Sequence, residues 1–176
     1  ANCSFEITGS IPIPSWTPPS GAVTSITAMK DVAGNVVFKP TEGNRMALLH
    51  NGTGAVLGVN NRDTSRLSQS TAALQPGKVY RITFDYNFMS NEFPTQGPGF
   101  NDTFEARVSG SGQDILLVQE SRAGSNFKTD KPIITSNGKS DANVSDFSLG
   151  AGNGYTDWKT GSKTVLPDDI IGTLEF

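Results

Sequence analysis

Residues 79–88, VYRITFDYNF, constrain the fold of this chain more than any other stretch. Successive side chains of a β-strand point to opposite faces, so an apolar residue at every second position predicts a strand that is buried on one side. The apolar side chains of this stretch follow that rule without a break, at Tyr80, Ile82, Phe84, Tyr86 and Phe88. The stretch is the clearest half-buried strand in the sequence.

Further strand patterns recur along the chain at the spacing typical of β-sandwiches. They cover residues 4–8, 23–29, 35–38, 46–50, 55–59, 104–108, 115–120, 146–149, 157–165 and 172–176. Turn signals separate several of them, including Asn51-Gly52-Thr53-Gly54 between two predicted hairpin strands. Helical patterns are limited to two short stretches, 64–74 and 168–171. We therefore predict an all-β fold, a two-sheet antiparallel β-sandwich of the jelly-roll kind.

The composition supports a single, loop-rich domain over residues 1–176. Hydrophobic residues make up 35% and charged residues 18%, both below the globular average, while 19 glycines and 10 prolines indicate many turns. The net charge is −3 and the sequence has no cluster of basic residues, so a nucleic-acid-binding surface is not predicted. No apolar run is long enough to predict a transmembrane segment.

The N-terminal region favours a secreted protein. The chain begins at Ala1 without methionine, which is typical of a chain that follows a cleaved signal peptide. Cys3 is the single cysteine, so an intramolecular disulfide is excluded, and this sparing use of cysteine fits a secreted bacterial protein. Prolines at positions 12, 14, 18 and 19 predict extended, loop-like chain around Trp16.

Four segments together resemble a known class of bacterial surface domain. They are CSFEITG from Cys3, KPTEGNRMALLHNGTG from Lys39, GKVYRITFDYNFMSNEFP followed by FNDTFEARVSG, and GYTDWKTGSKTVL from Gly154. The chain resembles choice-of-anchor domains, which are associated with PEP-CTERM and other sorting signals, and its pattern is related to carbohydrate-binding jelly rolls. The resemblance implies a non-enzymatic sandwich at the bacterial cell surface. It also implies a closing strand after residues 172–176, and because the sequence ends at Phe176 we expect the domain to lack that strand.

The loop between the strands at 79–88 and 104–108 carries oxygen-bearing side chains at both of its lips. Asn91 and Glu92 stand at one lip, and Asn101 and Asp102 stand at the other. Calcium takes six to eight oxygen ligands from carboxylates, amides and carbonyls, so these residues predict a calcium site. The alternative is that they form Asx-turns and cap strand ends. Glu6 is a second calcium candidate, implied only by the resemblance to jelly rolls.

Three aromatic residues are candidates for stacking on sugar rings: Trp16, Tyr155 and Trp158. The alternative is that they pack within the core or at a sheet edge. We expect Trp158 to be buried and Trp16, among prolines, to be exposed. His50 is the single histidine, and no nucleophile elbow or zinc pattern accompanies it, so we expect no enzymatic activity.

Two functions remain open at this level. In the first, the chain is a calcium-stabilised module for cell-surface adhesion, which binds a glycan or a surface protein. In the second, it is a self-assembling subunit of an extracellular filament or surface layer, which pairs with copies of itself through shared strands or edges. Residues 3–11 are the segment expected to act as a donor strand in that assembly.

Overall fold

The structure is a computed structural model, and it describes residues 5, 16–20, 22–31, 34–50, 66–70, 78–90, 102–110, 113–124, 126–128, 134–136, 154–166 and 172–175. These residues contain strands and no helix, so the expectation of an all-β chain is confirmed for this part. The described part likewise has no long apolar helix that could cross a bilayer.

The strands in chain order are β1 (Thr17–Ser20), β2 (Ala22–Ile26), β3 (Met29–Asp31), β4 (Val36–Phe38), β5 (Met46–His50), β6 (Arg66–Ser70), β7 (Tyr80–Tyr86), β8 (Met89–Ser90), β9 (Thr103–Gly110), β10 (Gln113–Ser121), β11 (Ile134–Ser136), β12 (Gly154–Tyr155), β13 (Lys159–Val165) and β14 (Gly172–Glu175). The chain divides into two compact units. The first unit comprises Ala1–Gln69 and Ile134–Ser148, and the second comprises Ser70–Ile133 and Leu149–Phe176. A single domain over the whole chain stays a prediction.

Strands of the first unit pair in small antiparallel groups. β2 pairs with β5, from Ala22↔His50 to Ile26↔Met46, and β3 lies between β11 and β4. Gly34, in the predicted turn before β4, has a φ of +87°, which glycine adopts without steric cost. The strand at 46–50 is confirmed, but the residues of its predicted hairpin partner at 55–59 lie outside the described part.

The core of the first unit is made of apolar side chains from the segment before β1 through β6. The buried residues are Trp16, Val23, Ile26, Ala28, Met29, Phe38, Met46 and Leu67. The predicted helical stretch at 64–74 is wrong over residues 66–70, because these form β6, in which Leu67 and Gln69 are both buried. β6 pairs with β1, whose two prolines accompany an irregular register between Thr17 and Ser20.

Phe5 and Trp16 correct two expectations about the N-terminal region. The φ of Phe5 is +56°, in the left-handed region, so a regular strand through residue 5 is wrong. Its ring lies 5.1 Å from the ring of Trp16, and its carbonyl accepts a 3.4 Å hydrogen bond from Ser25 Oγ. Trp16 is only 6% exposed, so the expectation of an exposed side chain is also wrong. The Trp16 ring is buried because it packs against Phe5, although the surrounding prolines predict an exposed loop.

Within the second unit, β7 pairs with β13, from Tyr80↔Val165 to Tyr86↔Lys159. β9 lies between β14 and β10, and the two-residue β8 pairs with β12. The alternation predicted for β7 is confirmed: side chains at positions 80, 82, 84 and 86 are half-buried, whereas those at 81, 83 and 85 are exposed.

A small apolar core joins the β7–β13 pair to the β9–β10 hairpin inside the second unit. Val108 of β9 and Val165 of β13 are buried at its centre, and Tyr80, Ile82, Ile115 and Leu117 pack against them. The β9–β10 register shifts between Leu116 and Val118, so Leu117 is the extra residue of a β-bulge. Apolar faces of two antiparallel pairs therefore cover each other, as the alternation in β7 requires.

Candidate functional site

Of the predicted calcium ligands, Asp102 lies in the described part. Glu6, Asn91, Glu92 and Asn101 lie outside the described residues. Asp102 is half-buried immediately before β9, and its main-chain carbonyl accepts a 3.0 Å hydrogen bond from the N–H of Arg122. Among the residues that the structure describes, no group of three or more His, Cys, Asp or Glu side chains could hold a metal ion. The calcium site therefore stays a prediction.

An aromatic contact holds the residues that flank the predicted loop at 91–101 at the same end of the second unit. The rings of Tyr86, at the end of β7, and Phe104, near the start of β9, stack with centroids 5.1 Å apart. Asn87 directly follows Tyr86, and Asp102 comes two residues before Phe104. β7 and β9 belong to different pairings, so the intervening chain passes from one strand pair to the other.

Asn87 is a potential ligand that the sequence analysis did not single out. Its Nδ2 donates a 2.6 Å hydrogen bond to the carbonyl of Thr156, whereas its Oδ1 is buried and accepts no hydrogen bond in the described part. An unsatisfied buried amide oxygen is costly unless a donor or a cation meets it. The sequence offered little signal for Asn87, because it lies inside the alternating stretch at 79–88, four residues before Asn91.

Thr156 fixes the chain that follows Asn87. Its Oγ1 accepts a 2.9 Å hydrogen bond from the N–H of Phe88, and its own N–H donates to the carbonyl of Phe88 at 2.8 Å. Thr156 is 1% exposed and Phe88 is 8% exposed, so these bonds are shielded from water. One lip of the loop is thereby anchored to the segment between β12 and β13.

A cluster of three polar side chains, Tyr86, Glu120 and Lys159, lies between the two strand pairs at this end. Glu120 Oε1 accepts a 2.7 Å hydrogen bond from Tyr86 Oη and a second one, also 2.7 Å, from Lys159 Nζ. The side chain of Glu120 is only 15% exposed. Burial raises the pKa of Tyr86 above its ordinary value, and the hydrogen bond and charge of Glu120 raise it further. This cluster fixes the Tyr86 ring on which Phe104 stacks.

The three predicted sugar-stacking residues differ in exposure. Trp16 and Tyr155 are 6% and 2% exposed, so their rings do not present a free face in this structure. Tyr155 exchanges main-chain hydrogen bonds with Lys128, at 2.8 and 3.1 Å. Trp158 is half-buried directly before β13, beside Asp157, which forms an ion pair with Lys128. Sugar binding stays a prediction, and Trp158 is the residue best exposed for it.

Comparisons of this chain with protein-family models, with curated proteins and with solved structures found no match.

Proposed function

We propose that this chain is a non-enzymatic extracellular module of jelly-roll-like β-sandwich architecture, which binds a glycan or a surface protein and is stabilised by calcium. One observation carries the proposal. The Tyr86–Phe104 stack holds both flanks of the predicted oxygen-rich loop at one end of the second unit, next to the buried Oδ1 of Asn87, which accepts no hydrogen bond from the described residues. That arrangement is the kind that a hard cation stabilises, since calcium accepts amide and carboxylate oxygens together.

The residues that would hold calcium are Glu92, Asn101 and Asp102, with Asn91 or main-chain carbonyls completing the shell. Asn87 Oδ1 adds a neutral, buried oxygen that receives no hydrogen bond within the part of the chain that the structure describes. This donor set fits a metal that takes only oxygen ligands, and a bound calcium would supply a fixed positive charge that cross-links the two lips. Glu6 remains a separate candidate, because it belongs to the N-terminal segment of the first unit.

The sandwich architecture has support from the second unit. Side chains of the β7–β13 pair pack on the β9–β10 hairpin around Val108 and Val165. Two antiparallel layers that share an apolar interior are the basic element of a sandwich. The jelly-roll topology goes beyond this element and is part of the proposal.

The rival function, a subunit that donates residues 3–11 to a neighbouring copy, has less support. A donor strand needs an extended backbone so that its N–H and C=O groups can pair along an edge. Phe5 adopts a φ of +56° and packs on Trp16 of its own chain. A left-handed residue held by an internal aromatic contact interrupts such a strand near its start.

Thermal unfolding with and without calcium tests the proposal. Calcium at about 100 times its dissociation constant stabilises the folded state by about 2.7 kcal/mol, which raises the Tm of a chain of this size by roughly 5–10 °C. Both Asn87→Leu and Asp102→Ala should reduce this rise, while Asp85→Asn, at an exposed position of β7, should retain it. An unchanged Tm after chelation would show that the lip residues are turn formers.

Ligand binding needs a separate test, because calcium could stabilise the fold without serving recognition. Wild-type protein and Trp158→Ala should be compared on a panel of bacterial and plant polysaccharides, each with and without calcium. Loss of binding in Trp158→Ala with unchanged Tm supports a sugar-stacking role for the half-buried ring. Binding that is unaffected by the substitution would assign recognition to another surface.

A further inference from the structure

The β7–β13 pair has a second side, opposite the one that packs on the β9–β10 hairpin. Its side chains alternate with the half-buried ones and are exposed: Arg81, Thr83 and Asp85 of β7, and Thr160, Ser162 and Thr164 of β13. The register sets these residues directly opposite one another, as Arg81↔Thr164, Thr83↔Ser162 and Asp85↔Thr160. Directly opposite residues of an antiparallel pair project from the same side. We call this surface the outer face.

Hydroxyl groups make up most of the outer face, and two of them orient its charged side chains. Ser162 Oγ accepts a 2.7 Å hydrogen bond from Arg81 Nε, and Thr160 Oγ1 donates one of 2.7 Å to Asp85 Oδ1. The guanidinium and the carboxylate stand four residues apart on β7, which is about 13 Å in an extended strand. A ligand that lies along the strands therefore meets a fixed cation, a row of hydroxyls and a fixed anion in turn.

Arg81 gives the outer face a site for an anion. Its bond to Ser162 uses Nε, and its two terminal amino groups form a fork that can bind a carboxylate through two parallel hydrogen bonds. No ion pair joins Arg81 to another described residue. By contrast, Arg107 on β9 forms ion pairs with Glu105 and Asp114. The charge of Arg81 is therefore available to an anionic ligand, whereas that of Arg107 is neutralised within the chain.

Apolar groups lie at the two ends of the outer face. Val79 and Leu166 directly flank the paired residues of β7 and β13 at the Arg81 end, and they are 65% and 53% exposed. At the other end, the half-buried Trp158 stands two residues before Thr160. Protein interfaces take most of their binding energy from apolar and aromatic anchors at the centre, and here the centre holds hydroxyls. A sugar chain carries hydroxyls at its edges and C–H groups on its ring faces, so it fits this arrangement better than a protein does.

We infer that the outer face binds an acidic polysaccharide, with a uronate carboxylate on Arg81 and sugar hydroxyls along the serine and threonine row. This inference rests on the proposed function, because it takes the glycan as the ligand and adds its charge and its place of binding. Asp85 disfavours a second carboxylate in contact with the far end of the row. The ligand class is therefore a polysaccharide in which uronate units are separated by neutral sugars.

Isothermal titration calorimetry with oligosaccharides of hyaluronan and of glucuronoxylan tests the inference. Wild-type protein should bind at least one of them, and binding should weaken markedly for its carboxyl-reduced, neutral form. Arg81→Gln should weaken binding of the acidic form by roughly fivefold to tenfold, and Arg81→Lys, which keeps the charge without the fork, should have an intermediate effect. The matched control is Lys163→Gln, which removes the same charge from the opposite side of β13 and should bind like wild type.

Circular dichroism must show that each variant is folded, as expected for substitutions at exposed positions. If Arg81→Gln does not fold, Ser162→Ala keeps the guanidinium but removes its hydrogen bond, and it should weaken binding by about twofold to fivefold. Wild-type affinity in folded Arg81→Gln, or in folded Ser162→Ala in its place, overturns the inference. Equal weakening by Lys163→Gln overturns it as well.

Comparison ligands separate failure of the inference from failure of the proposed function. Binding of poly-L-glutamate as tight as that of the acidic oligosaccharides overturns the inference and assigns the outer face to acidic peptides. Wild-type protein that binds only neutral polysaccharides, with loss of binding in Trp158→Ala, overturns the inference and supports the proposed function. Lack of binding to every polysaccharide overturns both the inference and glycan recognition as the proposed function.

Discussion

Gly161→Ala should destabilise the second unit although alanine is usually the better residue in a folded chain. Gly161 lies in β13 directly opposite Phe84, whose ring covers the position where a side chain would stand. A Cβ there would be 2.6 Å from Phe84 Cζ, 2.9 Å from Phe84 Cε2 and 2.9 Å from Val118 Cγ2. These distances are below carbon–carbon contact, so the ring and the valine must both give way.

Two opposing effects set the magnitude. Replacing glycine restricts the unfolded chain and stabilises the protein by about 0.4–1 kcal/mol where the native backbone accepts alanine. Forcing an extra methyl group into a packed interior costs about 1–3 kcal/mol. Gly161 is buried and meets atoms from two directions, so the second effect should win. We expect a net loss of about 1–2 kcal/mol, which lowers the Tm by roughly 2–8 °C.

Urea unfolding followed by circular dichroism measures this loss. The matched control is Gly124→Ala, at an exposed turn where the nearest atom to the new Cβ is Ser121 Oγ at 3.2 Å; its stability should be equal to wild type or slightly higher. Adding Phe84→Leu to Gly161→Ala removes the ring edge, and a double-mutant cycle should give a favourable coupling of about 0.5–3 kcal/mol. Equal stability of Gly161→Ala and Gly124→Ala would refute the reasoning.

Three further changes test separate contacts. Thr156→Val leaves the buried N–H of Phe88 without its acceptor and should cost about 1–3 kcal/mol, whereas Thr156→Ser should retain most of the stability; equal losses in urea unfolding would contradict this. The hydrogen bond and charge of Arg107 hold the pKa of Glu105 below its ordinary value. The Glu105 carboxylate therefore stabilises the fold fully above a pH of about 4.3, the pKa of an unperturbed glutamate. This stabilisation is lost as the pH falls through the lower pKa of Glu105 in the folded state. The stability difference between wild type and Arg107→Gln should therefore shrink on acidification, and a constant difference from neutral to acidic pH would contradict the assignment. Trp16→Ala removes a ring that is 6% exposed and should lower the free energy of unfolding by about 3–5 kcal/mol. In the Trp158→Phe variant, Trp16 is the remaining indole of the sequence. Ready quenching of its fluorescence by acrylamide would show that Trp16 is exposed and would contradict this prediction.

The local sequence pattern was sufficient to predict strands that bury one face in the protein interior. The alternation at 79–88 predicted the side chains that β7 buries, and the short apolar runs at 35–38, 46–50, 104–108 and 115–120 each correspond to an observed strand. These predictions succeeded because the period of two in side-chain direction is a property of the extended backbone itself. Gly34 was likewise predictable, since a positive φ at a turn selects glycine.

The local sequence pattern gave wrong predictions where contacts with residues distant in the sequence determine the conformation or the burial of a residue. The stretch around β6 resembled a short helix, yet pairing with β1 and burial of Leu67 and Gln69 make it a strand. Trp16 stood among prolines that suggest exposure, but Phe5 covers it from eleven residues away in the sequence. Propensity is a weak influence of about 1 kcal/mol per residue, so a few long-range contacts are enough to override it.

For the candidate site, the sequence determined which residue types stand at the loop lips, and it placed Asp102 directly before a strand. Only the tertiary structure decided that Tyr86 and Phe104 stack, that Asn87 contributes a buried amide oxygen, and that two lysines of β13 bind across to β10. The physical reason is that strand pairing and layer packing join residues far apart in the chain.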